Sequence, residues 1–141
     1  MYFVRSLPDR ALYAYDYDSS SGSVTNPRKF WQNPSNAEPD GFALDTEGHL
    51  WQALYGDGKV VRLSPEGEVV GEVKLLTKAI TSVCFVGEDI FITTAAEAEP
   101  EKYPESAKYG GALFKVHVGK TGVKRNKARF SEEVMKKFGL K

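Results

Sequence analysis

Residues 39–75 read PDGFALDTEGHLWQALYGDGKVVRLSPEGEVVGEVKL. Four short apolar runs stand in this stretch: PDGFALD (39–45), HLWQAL (49–54), KVVRL (59–63) and EVVGEVKL (68–75). Glycine-bearing turns separate them at DTEG (45–48), YGDG (55–58) and SPEG (64–67). SPEG puts Pro at the second turn position and Gly at the fourth, as a type I turn favours. HLWQAL alternates as a half-buried strand does. Runs this short, with turns this close, define a four-stranded β unit.

The plan recurs on both sides. Downstream come ITSVCF (80–85), a turn at VGED (86–89), IFITTA (90–95), ALFKVHV (112–118) and a final strand expected near VKRNKARF (123–130). Upstream, YFV (2–4), LYAYDYD (12–18) and VTNPRKFW (24–31) match the second, third and fourth strands of a unit whose first is missing. Equivalent segments begin at residues 12, 60 and 112. A spacing of about 50 residues with shared turn chemistry marks propeller blades or a similar array. The expected fold is therefore all-β, a partial β-propeller of about three four-stranded blades over residues 1–130, its first blade incomplete. Propellers usually hold about 4–8 blades. Three do not close a ring, and the sheet faces and edges left open favour association. SEEVMKKF (131–138) reads as a short helix with Ser131 as its N-cap, in a tail spanning 131–141. The Pro and Gly content of AEAEPEKYPESAKYGG (96–111) argues against a long helix. This acidic stretch reads either as a solvated loop or as a lid over the channel mouth.

Nineteen basic residues balance nineteen acidic ones. That leaves no electrostatic case for nucleic acid or an anionic membrane as partner. No apolar run approaches the roughly 20 residues of a membrane-spanning helix. MYFVRSLPDR lacks the layout of a secretory signal. Cys84 is the single cysteine, so no intrachain disulfide forms, and a cytoplasmic location is expected. Its neighbours in TSVCF point to a buried structural thiol.

Asp40, in EPDGF, is the leading site candidate. It immediately precedes an innermost strand, where a propeller opens onto its channel. Pro39 limits the backbone there, and Gly41 permits close approach of neighbouring chain. A carboxylate so placed binds a hard cation or accepts a proton. A turn Asp making local hydrogen bonds fits the same residues. DYDSSSG (16–22) has Ser21 and Pro27 where a calcium loop needs Gly and Glu, and reads as a turn. His49 and His117 have no ligand partners near them in sequence. No CxxC, HExxH or phosphate-binding Gly loop is present. Trp51, Tyr55, Phe85 and Phe91 read as packing residues.

The run EPDGFALDTEGHLWQALYGDGKVVRLSPEGEVVGEV resembles the gluconolactonase / regucalcin (senescence marker protein) family. The likeness extends over YFVRSLPDRALYAYDYDSSSGSVTN, ITSVCFVGEDIFITTAAE and GGALFKV, covering residues 1–130. PEKYPESAKYGGALF resembles the fungal branch. The resemblance implies a six-bladed propeller that opens sugar lactones or related esters with one divalent metal, Ca, Zn, Mg or Mn. It implies a ligand set of a Glu, an Asn and the Asp of the PDG motif, which is Asp40 here. In the family mechanism the metal polarises the lactone carbonyl and stabilises the developing oxyanion, and the ligand Asp is general base to the attacking water. Thr81 and Ser82, in the equivalent loop of the next unit, are expected to line the substrate pocket. Arg5-Ser6 stands where family members often carry Asp-Ser. The Glu and Asn have no counterpart here, so the chain is expected to be the C-terminal half of a lactonase-like protein. Weak or absent metal binding and little or no lactonase activity are expected of it alone. Pairing with the missing half, or with a second copy, is the expected partnership.

Overall fold

A computed structural model describes residues 2–6, 8–124 and 130–139. Its strands form three antiparallel sheets. The first holds β1 (Tyr2–Ser6), β2 (Ala11–Tyr17) and β3 (Val24–Gln32), in that order. The second holds β4 (Glu38–Leu44), β5 (Leu50–Tyr55), β6 (Lys59–Leu63) and β7 (Val69–Lys74), again in chain order. The third runs β8 (Ile80–Val86), β9 (Asp89–Thr94) and β10 (Leu113–His117) from one edge to the other. Strand positions follow the sequence pattern because the turns enforce them. At the β4–β5 turn, Gly48 adopts φ 84°, a conformation a side chain disfavours. Between β2 and β3, Asp18 accepts from the Ser20 amide and the Ser20 and Ser21 hydroxyls, which makes DYDSSSG a turn and holds the Asp18 pKa at about 2.

The middle sheet is covered on both faces. Leu50, Leu54, Val61 and Leu63 pack with Leu12 and Trp31 of the first sheet. Trp51, Ala53 and Val60 pack with Ile80, Val83, Ile90 and Ile92 of the third. Full burial of each such aliphatic side chain stabilises by about 1.5–3 kcal/mol. Trp51 meets Phe85 edge-on, with ring centroids 5.7 Å apart. This two-sided cover corrects the half-buried reading of HLWQAL: Leu50 through Leu54 are all buried, including the polar Gln52. Cys84 is half-buried rather than buried.

The expected strand near 123–130 falls mostly on residues 125–129, outside the described residues. The chain just before it turns away from β10 and fastens to the middle sheet. Gly122 bridges Asp45, the Thr46 amide donates to the Thr121 carbonyl at 2.8 Å, and the Val123 amide donates to the Leu44 carbonyl at 3.1 Å. Residues 96–111 contain one short helix, α1 (Pro104–Tyr109). The tail forms α2 (Glu132–Phe138), where Ser131 Oγ accepts from the Val134 amide at 3.3 Å. Among the described residues no helix is long and apolar enough to cross a membrane.

Candidate functional site

Asp40 and Gly41 form a β-bulge near the start of β4. Pairing with β5 passes from Pro39–Leu54 to Phe42–Gln52, so the two residues together oppose Ala53. A bulge frees its residues from the ladder and re-aims their side chains. Asp40 is half-buried there. Gln52 takes up both loosened carbonyls, donating from Nε2 to Asp40 O at 3.1 Å and Gly41 O at 3.3 Å, and to Ala53 O at 2.7 Å.

At Gly41, β4 passes tightly against β8. A Cβ at this position would lie 2.6 Å from Ser82 Cβ and 2.9 Å from Ser82 Cα, and closer still to Ser82 Oγ. Only glycine permits that approach, as the PDG motif requires. Thr81 occupies the matching irregularity of β8, where pairing with β9 passes from Ile80–Thr94 to Ser82–Thr93. Its hydroxyl lies 2.8 Å from that of Thr93. Asp40 and Thr81 are thus each the first displaced residue of successive sheet-leading strands.

The 96–111 segment lies over the same end of the sheets. The Ser106 hydroxyl, buried, donates to the Glu97 carboxylate at 2.5 Å and accepts from the Lys78 amide at 2.9 Å. The Ser106 hydrogen bond holds the Glu97 carboxyl below its ordinary pKa. Lys78 Nζ stands 3.6 Å from the centre of the Tyr103 ring. The segment is therefore anchored onto the β7–β8 connection. A groove of about 630 Å³ runs beside it, lined by Asn36, Glu38, Tyr55, Asp57, Lys78 and Tyr103. A hollow of about 680 Å³ lies beyond Phe42 toward the end of β4 and has no ionisable side chain among the described residues of its lining.

A second charged cluster, missed in the sequence, stands at the other end of β4. One ligand atom each of Asp45, Glu47 and His49 lies within 4.8 Å of the others. Their groups are committed to structure. Asp45, fully buried, accepts from the amides of Glu47 and His49, from Trp51 Nε1 at 3.0 Å, and from Arg62 Nε and Nη2 at 3.0 and 2.7 Å. Glu47 binds Arg62 and Lys120. Burial pushes the Asp45 carboxyl up, but the Trp51, Arg62 and His49 contacts together hold it below its ordinary pKa. The histidines do find acidic neighbours. His49 Nδ1 is 3.6 Å from Asp45, and His117 Nδ1 is 2.9 Å from Asp89 across strands. Asp89 lies 28 residues from His117 in the sequence, whereas Asp45 lies only four from His49.

Asp40, Thr81 and Ser82 offer hard oxygen donors, the type calcium and magnesium take. They fit a divalent cation in kind and fall short in number: among the described residues Asp40 belongs to no group of three carboxylate, imidazole or thiolate ligands.

The sequence profile described as SMP-30/Gluconolactonase/LRE-like region matches residues 1–96. Regucalcin of Gallus gallus is 36% identical over 120 residues, covering 82% of this chain and 40% of the relative. A pentonolactonase of Haloferax volcanii is 33% identical over 121 residues, covering 80% and 42%. The crystal structure of regucalcin from Agrobacterium tumefaciens, titled a calcium-binding protein, superposes with TM-score 0.77 at 22% identity, covering 85% of this chain and 42% of that one, and shows the shared fold. The chain belongs to the SMP-30/gluconolactonase family. It spans about two-fifths of the length of these relatives.

Proposed function

We propose that this chain carries the aspartate-bearing part of a lactonase-type site of the fungal-like branch, acting on sugar lactones or related esters. The observation that carries this reading is the Asp40–Gly41 bulge, pressed against Ser82, in a chain with lactonase relatives. Asp40 offers an oxygen to a divalent cation (Ca, Zn, Mg or Mn) and accepts the proton of the attacking water. When bound, the cation supplies Lewis-acid polarisation of the substrate carbonyl. Thr81 and Ser82 line the pocket and supply hydroxyls to a polyhydroxylated substrate. Residues 1–130 form the lactonase-like unit, part of a six-bladed propeller, and 131–141 a tail. A cytoplasmic location accords with this reading.

One carboxylate makes a poor site, since calcium takes about 6–8 oxygen ligands. The chain alone therefore binds metal weakly and has little or no lactonase activity. The test is to mix it with the segment of a family relative that supplies the Glu and Asn ligands. Metal-dependent lactone hydrolysis, lost in Asp40→Ala, supports the reading; hydrolysis indifferent to Asp40→Ala overturns it.

A second reading is a binding or scaffold module. Leu113 and Val86 of the third sheet are 63% and 60% exposed, and Val69 and Val70 of β7 are half-exposed. Self-association through such faces gives a species larger than one chain in light scattering at micromolar concentration. A well-folded monomer there argues against this reading.

A further inference from the structure

We infer that Gln52 is the positioning residue of the Asp40 site, a buried side-chain clamp that fixes the bulge on which the carboxylate stands. The inference rests on the proposed role of Asp40 and adds a residue to it. Gln52 has no exposed surface. Its two Nε2 protons face three carbonyls, those of Asp40, Gly41 and Ala53, so at least one is shared. These acceptors fix the amide's orientation. Turned over, Oε1 would face three carbonyl oxygens.

Oε1 itself is buried and has no hydrogen-bond partner among the described residues, an unfavourable state for a polar atom. The neighbouring positions of β5 on the same face are Leu50 and Leu54, packed in the core with Val61 and Leu63. An aliphatic residue at position 52 would continue that core but would leave the Asp40 and Gly41 carbonyls without the donor that Gln52 supplies. The consequence of the amide is therefore local. It ties down two carbonyls that the bulge removes from the ladder. From below, Gln52 holds the Asp40–Gly41 peptide units; from the side, Ser82 blocks movement of Gly41. Together they restrain the Asp40–Gly41 backbone. Groups that orient a metal-binding side chain act this way, and losing one weakens metal affinity by about 10–100-fold.

Gln52→Met keeps the length of the side chain and removes the donors. The Gly41 and Phe42 amides, which belong to the two peptide units Gln52 holds, are expected to exchange with solvent about 10-fold faster in the folded variant, with β6 and β9 amides unchanged. Site-specific Mn²⁺ relaxation of the Asp40 resonances, measurable at low occupancy, is expected to weaken about 10-fold. Unchanged exchange at Gly41 and Phe42, or a Mn²⁺ effect present in the wild type and unchanged in the variant, overturns the inference. A wild-type protein with no Mn²⁺ effect at Asp40, whose exchange still rises in Gln52→Met, sinks the metal role and leaves the clamp supported. If the variant does not fold, the wild type decides. Gln52 side-chain protons protected as well as the β5 backbone support the clamp, and exchange at the rate of an exposed amide overturns it.

Discussion

Arg62 reaches from β6 to the β4–β5 turn and grips Asp45 with two hydrogen bonds, at 3.0 and 2.7 Å. Asp45 is fully buried and the Arg62 side chain is 17% exposed. The same carboxylate receives the Trp51 indole, and Arg62 continues to Glu47, which also holds Lys120. The two carboxylates thereby join the turn, two strands and the segment that follows β10. Asp45→Ala strands the Trp51 and Arg62 donors and is expected to cost about 3 kcal/mol, the low end for a broken buried pair because Glu47 remains to Arg62. Urea unfolding measures it; a loss under about 0.5 kcal/mol would place Asp45 outside the framework.

The same network sets the response to acid. Asp45 is held below its ordinary pKa by Trp51, Arg62 and His49 against the effect of burial, and Glu47 by Lys120 and then Arg62. A folded-state pKa below the unfolded value contributes stability that is complete above the unfolded pKa and lost as pH falls through the folded one. Stability is therefore expected to hold from neutrality to about pH 5 and to decline from about pH 4 downward. Unfolding midpoints across a pH series check this, and Asp45→Ala should show a shallower acid limb. An equally steep limb in the variant would assign the decline to other carboxylates.

Gly41 and Gly71 make a matched pair of substitutions. Alanine at 41 meets the Ser82 backbone and side chain at under 3 Å, whereas alanine at 71 meets only Arg62 Cβ at 3.9 Å. Gly41→Ala is expected to destabilise by about 1–3 kcal/mol through overpacking. Gly71→Ala, in the interior of β7, is expected to be neutral or stabilising by up to about 1 kcal/mol. Equal effects in chemical denaturation would contradict the close approach of β4 to β8.

Ser106 anchors the 96–111 segment. Ser106→Ala leaves the Lys78 amide and Glu97 without their shared partner, a local loss of about 1–2 kcal/mol. The segment should open more often while the sheets stay intact. Tryptic cleavage after the exposed Lys102 should then accelerate about 5-fold or more, with little change in the global midpoint. Cleavage at the wild-type rate would show that the anchor lies elsewhere.

The strand plan was legible because it is local. Each strand is bounded by turn residues such as Ser64, Pro65 and Gly67, and strand limits follow the sequence reading to within one or two residues. The close approach at Gly41 was legible from its glycine, which marks where another stretch of backbone comes near. Gln52 was not. Its acceptors lie 11 and 12 residues back, across a bulge no composition signal marks, and it shares a face with Leu50 and Leu54, where an apolar residue is the default. Asp45 was read as a turn residue. Its ties to Arg62, and those of Glu47 to Lys120, span 17 and 73 residues and exist only once the sheets pack. The fastening of Gly122 to Asp45 is non-local in the same way.

Two carboxylate positions, at opposite ends of β4, offer themselves to a cation, and paramagnetic mapping with Mn²⁺ decides between them. Asp45, Glu47 and His49 are closer together, but their charges are met by Arg62 and Lys120. The account predicts weak enhancement greatest at Asp40, Gly41, Thr81 and Ser82, and lost in Asp40→Ala. Enhancement centred on Asp45, Glu47 and His49, or surviving in Asp40→Ala, would contradict it.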